Sequence, residues 1–140
     1  MSCAKAGTTE TINRGHALYQ YDTYAVLEYM SGNKRYVKYF EQDTGQLTVL
    51  NLMEIYYAML RDYGESDATK AYSSASTYKV EFDDRDAQEA MKKRLALRQK
   101  KRLDLSYADS LGYHLSLKHK IKFLTGDTAF KELENVEYVK

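Results

Sequence analysis

The sequence predicts a single α/β domain with a central, mostly parallel sheet flanked by helices. Three observations lead to this prediction. The chain has 140 residues, which is the length of one domain with a real hydrophobic core. Short strand-like segments alternate with helical segments, as parallel α/β sheets require. No proline occurs, so nothing interrupts the helical segments.

The segments follow one another from residue 16, and we expect the domain to span residues 16–140. The strand-like segments are, in order, HALYQY, QLTVL, YKVEF, IKFLT and VEYV. The helical segments are TYAVLEYM, NKRYVKYFEQ, NLMEIYYAMLRDY, residues 66–77, residues 84–102, SYADSLGYHLSLKH and TAFKEL. In NLMEIYYAML, Ile55, Tyr56 and Met59 fall on helical spacing. Asp83, Asp84 and Asp86 form the acidic first turn of the long helix, which suits its dipole.

Composition indicates a soluble protein of a reducing, cytoplasmic compartment. No apolar run approaches the roughly 20 residues of a membrane span, and the single Cys3 has no partner for a disulfide. Residues 1–15 lack the apolar core of a secretory signal, so we interpret them as a disordered or artificial extension. The net charge of +1 gives no global argument for nucleic acid. Any such argument has to be local.

Four carboxylates are predicted to meet at one edge of the sheet. Asp22 follows HALYQY, Asp127 follows IKFLT, Glu54 lies four residues after QLTVL, and Asp109 lies in the helix opening SYAD. The carboxyl ends of parallel strands share one edge, where ligands bind. Such crowded acids repel each other unless a cation is present. Oxygen ligands without a His or Cys cluster indicate Mg²⁺ or Mn²⁺, and hence metal-assisted phosphodiester hydrolysis.

Each acid, taken alone, also has a structural explanation as a helix cap. Asp22 would cap TYAVLEYM, and Asp127 would cap TAFKEL. Asn51 and Glu54 fit the N-cap and N3 positions of one helix. Ser106 and Asp109 match the S-x-x-D capping box of another. A helix cap must accept a hydrogen bond from a backbone N–H of its helix, whereas a metal ligand must face the shared edge of the sheet.

Four segments, in this order and spacing, resemble the acidic signatures of PIN-domain ribonucleases, in particular the VapC-like toxins of toxin–antitoxin pairs. They are YDTYAVLEYM, LNLMEIYYAML, LSYADSLGYHLS and KFLTGDTAFKEL, and the resemblance runs from about Ala17 to the end of the chain. It implies a PIN-like fold and a Mg²⁺- or Mn²⁺-dependent endoribonuclease, the toxin of a type II pair, that cuts RNA with metal-activated water. It also implies that Asp22 and Asp109 bind metal directly, while Glu54 and Asp127 bind a second ion or hold the water.

Supporting residues and partners also follow from the resemblance. Thr23 and Thr125 occupy positions where the family often has a hydroxyl, which would hold a carboxylate or a metal-bound water; ordinary local capping is the alternative. An antitoxin protein, VapB-like or other, would cover the acidic mouth, and a homodimer is expected. The polar start of the chain departs from the family pattern, and so does Gln20 in a strand expected to be apolar.

A basic run is the best candidate for contact with RNA phosphates, since clustered cations release counterions from the backbone. The alternative is a solvated helix face. The run comprises Lys92, Lys93, Arg94, Arg98, Lys100, Lys101 and Arg102.

Three other functions compete with a toxin nuclease. A receiver-type signalling domain also has an acidic magnesium pocket, but it usually opens with paired acids, whereas Asp22 stands alone. A non-catalytic nucleic-acid or protein binding module would keep the fold and the acids without turnover. An RNA-processing nuclease would keep the chemistry outside toxin–antitoxin systems.

Overall fold

A computed structural model of the protein describes residues 17–140, and the predicted extension of residues 1–15 lies outside this range. The strands are β1 (Leu18–Tyr21), β2 (Thr44–Gln46), β3 (Lys122–Thr125) and β4 (Val136–Tyr138). The α-helices are α1 (Thr23–Met30), α2 (Val37–Glu41), α3 (Val49–Tyr63), α4 (Glu65–Ala75), α5 (Asp84–Lys101) and α6 (Tyr107–Lys118). Short 3-10 turns cover Lys34–Tyr36, Ser76–Tyr78 and Thr128–Phe130.

The strands form one sheet in the order β2-β1-β3-β4, and each neighbouring pair is parallel. In register, Tyr19 of β1 lies opposite Gly45 of β2 and Lys122 of β3. The predicted α/β class with a mostly parallel sheet is confirmed. Because β1 and β3 are the two inner strands, the residues that follow them lie side by side at the carboxyl edge.

The second and third predicted strands are placed wrongly. The strand predicted as QLTVL is β2, which ends at Gln46, and α3 already begins at Val49. The reason is Thr48, which caps α3 in a reciprocal capping box with Asn51. The predicted strand YKVEF is reduced to an isolated parallel bridge between Leu47 and Lys79 at the sheet edge. The predicted helix TAFKEL is only a 3-10 turn.

Much of the core on one side of the sheet consists of tyrosine. Tyr21 is fully buried, its ring stacks on Phe40 with centroids 4.1 Å apart, and its hydroxyl donates to the Tyr39 carbonyl at 2.5 Å. The ring lies directly against Gly45, where a Cβ atom would overlap it. The buried Tyr21 thus keeps its hydroxyl paired, as burial demands.

Gln20 of β1 is fully buried as well, despite its polarity. Its Oε1 accepts a hydrogen bond from Gln46 Nε2 at 2.8 Å. Its own Nε2 has no hydrogen-bond partner among residues 17–140. Of the two polar atoms of the Gln20 amide, only the oxygen therefore has a hydrogen bond to compensate for its burial.

A buried ionic cluster joins α5 to α6. Asp86, 5% exposed, lies 3.0 Å from His114 Nε2 and accepts from Lys118 Nζ at 2.8 Å. Burial opposes ionisation of Asp86, but hydrogen bonds from Lys118, His114 and the Asp83 backbone outweigh it and hold its pKa well below the usual range. Asp83 also caps α5 reciprocally with Asp86. This cluster fixes the helix that carries Asp109.

The helices within residues 17–140 include none that is long and apolar enough to cross a membrane.

Candidate active site

Asp22 lies directly after β1, at the carboxyl edge of the sheet. Its backbone N–H donates to the Leu124 carbonyl at 3.1 Å, which extends the pairing of β1 with β3. The side chain is 3% exposed and accepts from the Thr125 hydroxyl at 2.6 Å. It occupies the N-cap position of α1 but makes no capping hydrogen bond. The capping explanation for Asp22 is therefore wrong.

Glu54 reaches the same edge from α3. Its Oε1 accepts from the Thr23 hydroxyl at 2.6 Å, and the same hydroxyl accepts from Asn51 Nδ2 at 3.0 Å. Asn51 Oδ1 in turn accepts from the Thr48 backbone N–H at 3.0 Å. The start of α3 thus orients Glu54 through an amide and a hydroxyl. Because α3 begins at Val49, Glu54 is not the N3 residue, and its predicted capping pair with Asn51 is wrong.

Asp109 is the N3 residue of α6. Its backbone N–H donates to Ser106 Oγ at 3.0 Å, so the predicted cap by Ser106 is confirmed. Its carboxyl group lines the groove with that of Asp22 and lies close enough for its charge to add to the rise that burial causes in the pKa of Asp22. Burial raises the pKa of Asp109, and hydrogen bonding by Ser106 partly opposes that rise, so the cap acts on the same carboxyl group that lines the groove.

Asp127 follows β3, where its side chain caps a short turn and also lines the groove. Its Oδ1 accepts from the Ala129 N–H at 3.0 Å, which confirms the predicted cap of the short turn. Its own N–H donates to Thr125 Oγ1 at 3.0 Å. The preceding Gly126 packs so tightly that a Cβ atom there would overlap the Val139 carbonyl and the Tyr24 ring. The turn that presents Asp127 is therefore fixed on both sides.

The four acids line one open groove of 680 Å³. Burial raises the pKa of Asp22 well above its usual range, and the charges of Asp109 and Glu54 raise it further. Burial also raises the pKa of Glu54 and of Asp109, with added repulsion between Glu54 and Asp109 and between Asp109 and Asp127. The groove therefore disfavours simultaneous ionisation of its own acids, and a bound cation would reverse that.

The donor set fits a hard divalent cation. It consists of carboxylate and hydroxyl oxygens, the ligands of Mg²⁺ and Mn²⁺, and among residues 17–140 no His or Cys lines the groove. As the side chains stand, residues 17–140 contain no group of three acids, histidines or cysteines close enough to hold a metal ion. Glu54 and Asp22 instead accept hydrogen bonds from Thr23 and Thr125. Binding of an ion thus requires the acidic side chains to move closer together.

The predicted RNA-contact residues run from the middle of α5 to Arg102 directly after it, and none of them lines the groove. Lys92 pairs with Glu89, Lys93 lies 3.3 Å from His114 Nδ1, and Arg94 and Arg98 both pair with Asp104. Lys100, Lys101 and Arg102 are exposed at the end of the helix. In the basic run, the residues from Lys92 to Arg98 are therefore held by ion pairs or hydrogen bonds, and the last three are exposed to solvent.

Sequence reasoning missed Asn51 as part of the site and missed the link between Asp86, His114 and Lys118. The sequence pattern places Asn51 at the N-cap, whereas in the structure Thr48 is the N-cap and Asn51 Nδ2 donates to the Thr23 hydroxyl. The Asp86 cluster joins residues 28 and 32 positions apart, with no local pattern to mark it.

Comparisons with known proteins agree with this geometry. The family model described as PIN domain matches residues 21–136. A toxin–antitoxin complex from Klebsiella pneumoniae contains a similar chain, with 19% identity and a TM-score of 0.63 over 86% of this chain and 95% of that one. VapBC2 from Rickettsia felis, bound to a DNA fragment from its promoter, gives 12% identity and a TM-score of 0.65 over 87% and 97%. DNA-bound VapBC from Salmonella typhimurium gives 12% identity and 0.69 over 89% and 97%. No curated protein matches the sequence.

Proposed function

Because the chain belongs to the PIN domain family, we propose that it is an endoribonuclease that hydrolyses RNA phosphodiester bonds with the help of Mg²⁺ or Mn²⁺. The observation that carries the proposal is the convergence of four carboxylates, from four separate segments, on one groove. Burial, together with the charges of the neighbouring acids, raises the pKa of Asp22, Glu54 and Asp109. A helix cap does not require such crowding. A site of this charge suits a divalent cation and a phosphate that the cation neutralises.

The residues divide into those that would hold metal and those that orient them. Asp22 and Asp109 are the direct ligands, while Glu54 and Asp127 hold a second ion or the attacking water. When bound, the metal lowers the pKa of a water and neutralises charge on the phosphodiester. Thr125 fixes Asp22 and Thr23 fixes Glu54 through hydrogen bonds of 2.6 Å each.

Two protein partners belong to the same proposal. The chain would be the toxin of a type II pair acting in the cytoplasm, and an antitoxin would cover the acidic groove. The complexes among the structural neighbours support this, and so do Met53 and Leu60, exposed by 60% and 42% on α3. A homodimer is supported by Met91 and Leu95, exposed apolar residues one turn apart on α5. Light scattering at high concentration tests the dimer, and a monomer there would contradict it.

The test is cleavage of a panel of single-stranded and structured RNAs by protein freed of any bound partner. Reactions contain Mn²⁺, Mg²⁺ or EDTA, and Asp109→Asn is compared with the wild type. Asp84→Asn is the matched control, since it removes one exposed carboxylate outside the groove. We expect metal-dependent products that Asp109→Asn abolishes and Asp84→Asn leaves intact. RNA binding without cleavage, indifferent to metal and to Asp109→Asn, would instead indicate a binding module.

A further inference from the structure

We propose that two exposed tyrosines, Tyr57 and Tyr107, stack on bases of the RNA on either side of the scissile phosphate and so position the strand in the acidic groove. This inference rests on the proposed ribonuclease function and names two substrate-positioning residues of the same groove. Three features support it: where the rings lie, how each ring is backed by an arginine, and which charges surround them.

Tyr57 lies one turn after Glu54 on α3 and lines the acidic groove. Its side chain is 65% exposed, although a tyrosine of this size is usually covered. The Arg61 guanidinium carbon lies 5.9 Å from the ring centroid, and Arg61 lines the same groove. One face of the ring thus meets a cation.

Tyr107 opens α6, directly after Ser106, which lines the groove. Its ring is 64% exposed and lies 5.2 Å from the Arg94 guanidinium carbon. Arg94 is itself fixed, because its Nε donates to the Leu105 carbonyl at 2.7 Å and its Nη2 to Asp104 at 3.3 Å. The ring therefore rests on a cation that is held in place.

The two rings bracket the acids along α3. Tyr107 shares a small cavity of 210 Å³ with Leu50, which lies one turn before Glu54 on the same face of α3. Tyr57 lies one turn after Glu54. The helix rises about 10 Å between residues 50 and 57, with Glu54 between them. A strand lying along α3 would place its phosphate at the acids and one base on each ring.

The chemistry of the rings favours single-stranded nucleic acid as the occupant. Stacking on tyrosine accepts any base but requires that the base be unpaired, and arginine adds a cation–π contribution. Lys100 and Lys101 of α5, the helix that supplies Arg94, and Arg102 directly after it are exposed and offer charge for the RNA backbone. Tyr63 provides a contrast: it is 64% exposed on α3, but it lines no part of the acidic groove and stacks on no cation within residues 17–140.

The first measurement is binding, separated from turnover by the Asp109→Asn background. Fluorescence anisotropy with a fluorescein-labelled single-stranded RNA and a duplex of the same sequence compares Tyr57→Ala, Tyr107→Ala and Tyr63→Ala. Each of the first two is expected to weaken single-strand binding about tenfold or more. Tyr63→Ala is expected to change nothing, and Tyr57→Phe and Tyr107→Phe are expected to restore binding because phenylalanine still stacks.

The second measurement is cleavage of the same two RNAs by the catalytically intact variants. We expect the single strand to be cut and the duplex to be spared, with slower cutting by both alanine variants at limiting enzyme. Equal cutting of duplex and single strand would overturn the inference. So would wild-type binding and cleavage in both alanine variants, which would assign the rings to a protein interface. Failure of the wild type to cut any RNA would contradict the proposed function, and the binding series would still decide the role of the rings.

Discussion

Thr23→Val is expected to weaken both the fold and the catalytic site, because one hydroxyl links Glu54 to Asn51. The substitution keeps the shape of the side chain and removes its donation to Glu54 Oε1 at 2.6 Å. It also removes the acceptor of Asn51 Nδ2, in a residue that is 1% exposed. A hydrogen bond to a charged group contributes about 1.5–3 kcal/mol, and a buried unpaired amide costs about 1–3 kcal/mol. We expect a loss of about 3 kcal/mol in the free energy of unfolding.

That loss should appear as a fall of roughly 10 °C in Tm for a chain of this size, measured by circular dichroism. Cleavage should fall about 10- to 100-fold, as for other residues that orient metal ligands, with a higher Mg²⁺ concentration needed for half-maximal rate. Thr23→Ser should restore most of both losses, and Thr69→Val, at an exposed position of α4, should cause neither. A Tm and a cleavage rate unchanged by Thr23→Val would refute the reasoning.

Three further predictions concern stability and the turn after β3. In the folded protein the pKa of Asp86 is lowered, so its carboxylate stabilises the fold above the unfolded value of 3.8 and this contribution is lost as the pH falls below it. Asp86→Asn should therefore flatten the loss of stability below about pH 4 in urea unfolding; an unchanged acid limb would contradict this. Asp22 has the opposite sign: its raised pKa means that stability falls as the pH rises above 3.8 and through the folded value. Asp22→Asn should raise Tm in EDTA at neutral pH and abolish the rise caused by Mg²⁺, and a lower Tm in EDTA would count against it. Gly126→Ala should lower the free energy of unfolding by about 1–3 kcal/mol, because the new Cβ overlaps Tyr24 and the Val139 carbonyl, and chemical denaturation measures this loss. It should also slow cleavage in the RNA assay by displacing Asp127.

Much of the fold could be predicted because its signals are local. The runs around Tyr21 and Leu124 have the pattern of strands, and the helix that follows the first of them begins at the polar residue Thr23. The parallel arrangement then follows from alternation of strands and helices. The position of β2 could not be predicted, because the residues Thr44–Gln46 are small or polar and become a strand only by pairing with β1. Such pairing depends on a partner 26 residues away, so no window of sequence contains it.

The site was predictable to the extent that it depends on strand ends. Asp22 and Asp127 follow inner strands, and their meeting is a consequence of parallel topology. Asp109 required only the Ser106 cap to set its position. The orientation of Glu54 could not be predicted, because it depends on where α3 begins. That start is decided by the Thr48 cap and not by the apolar periodicity of the helix.

Capping and metal binding are not exclusive explanations, and the individual acids show which one is sufficient. Asp127 caps a turn, so an asparagine there would meet the local need equally well. Asp22 caps nothing, is 3% exposed, and faces another carboxyl group whose charge opposes its ionisation. In the isolated fold, burial and the neighbouring acids outweigh the Thr125 hydrogen bond and oppose the charge of Asp22, and Thr125 would donate to an uncharged amide as well. A carboxylate at this position gains a favourable role only when a cation shares the groove, so the position of Asp22 is the strongest structural argument for a metal-dependent enzyme.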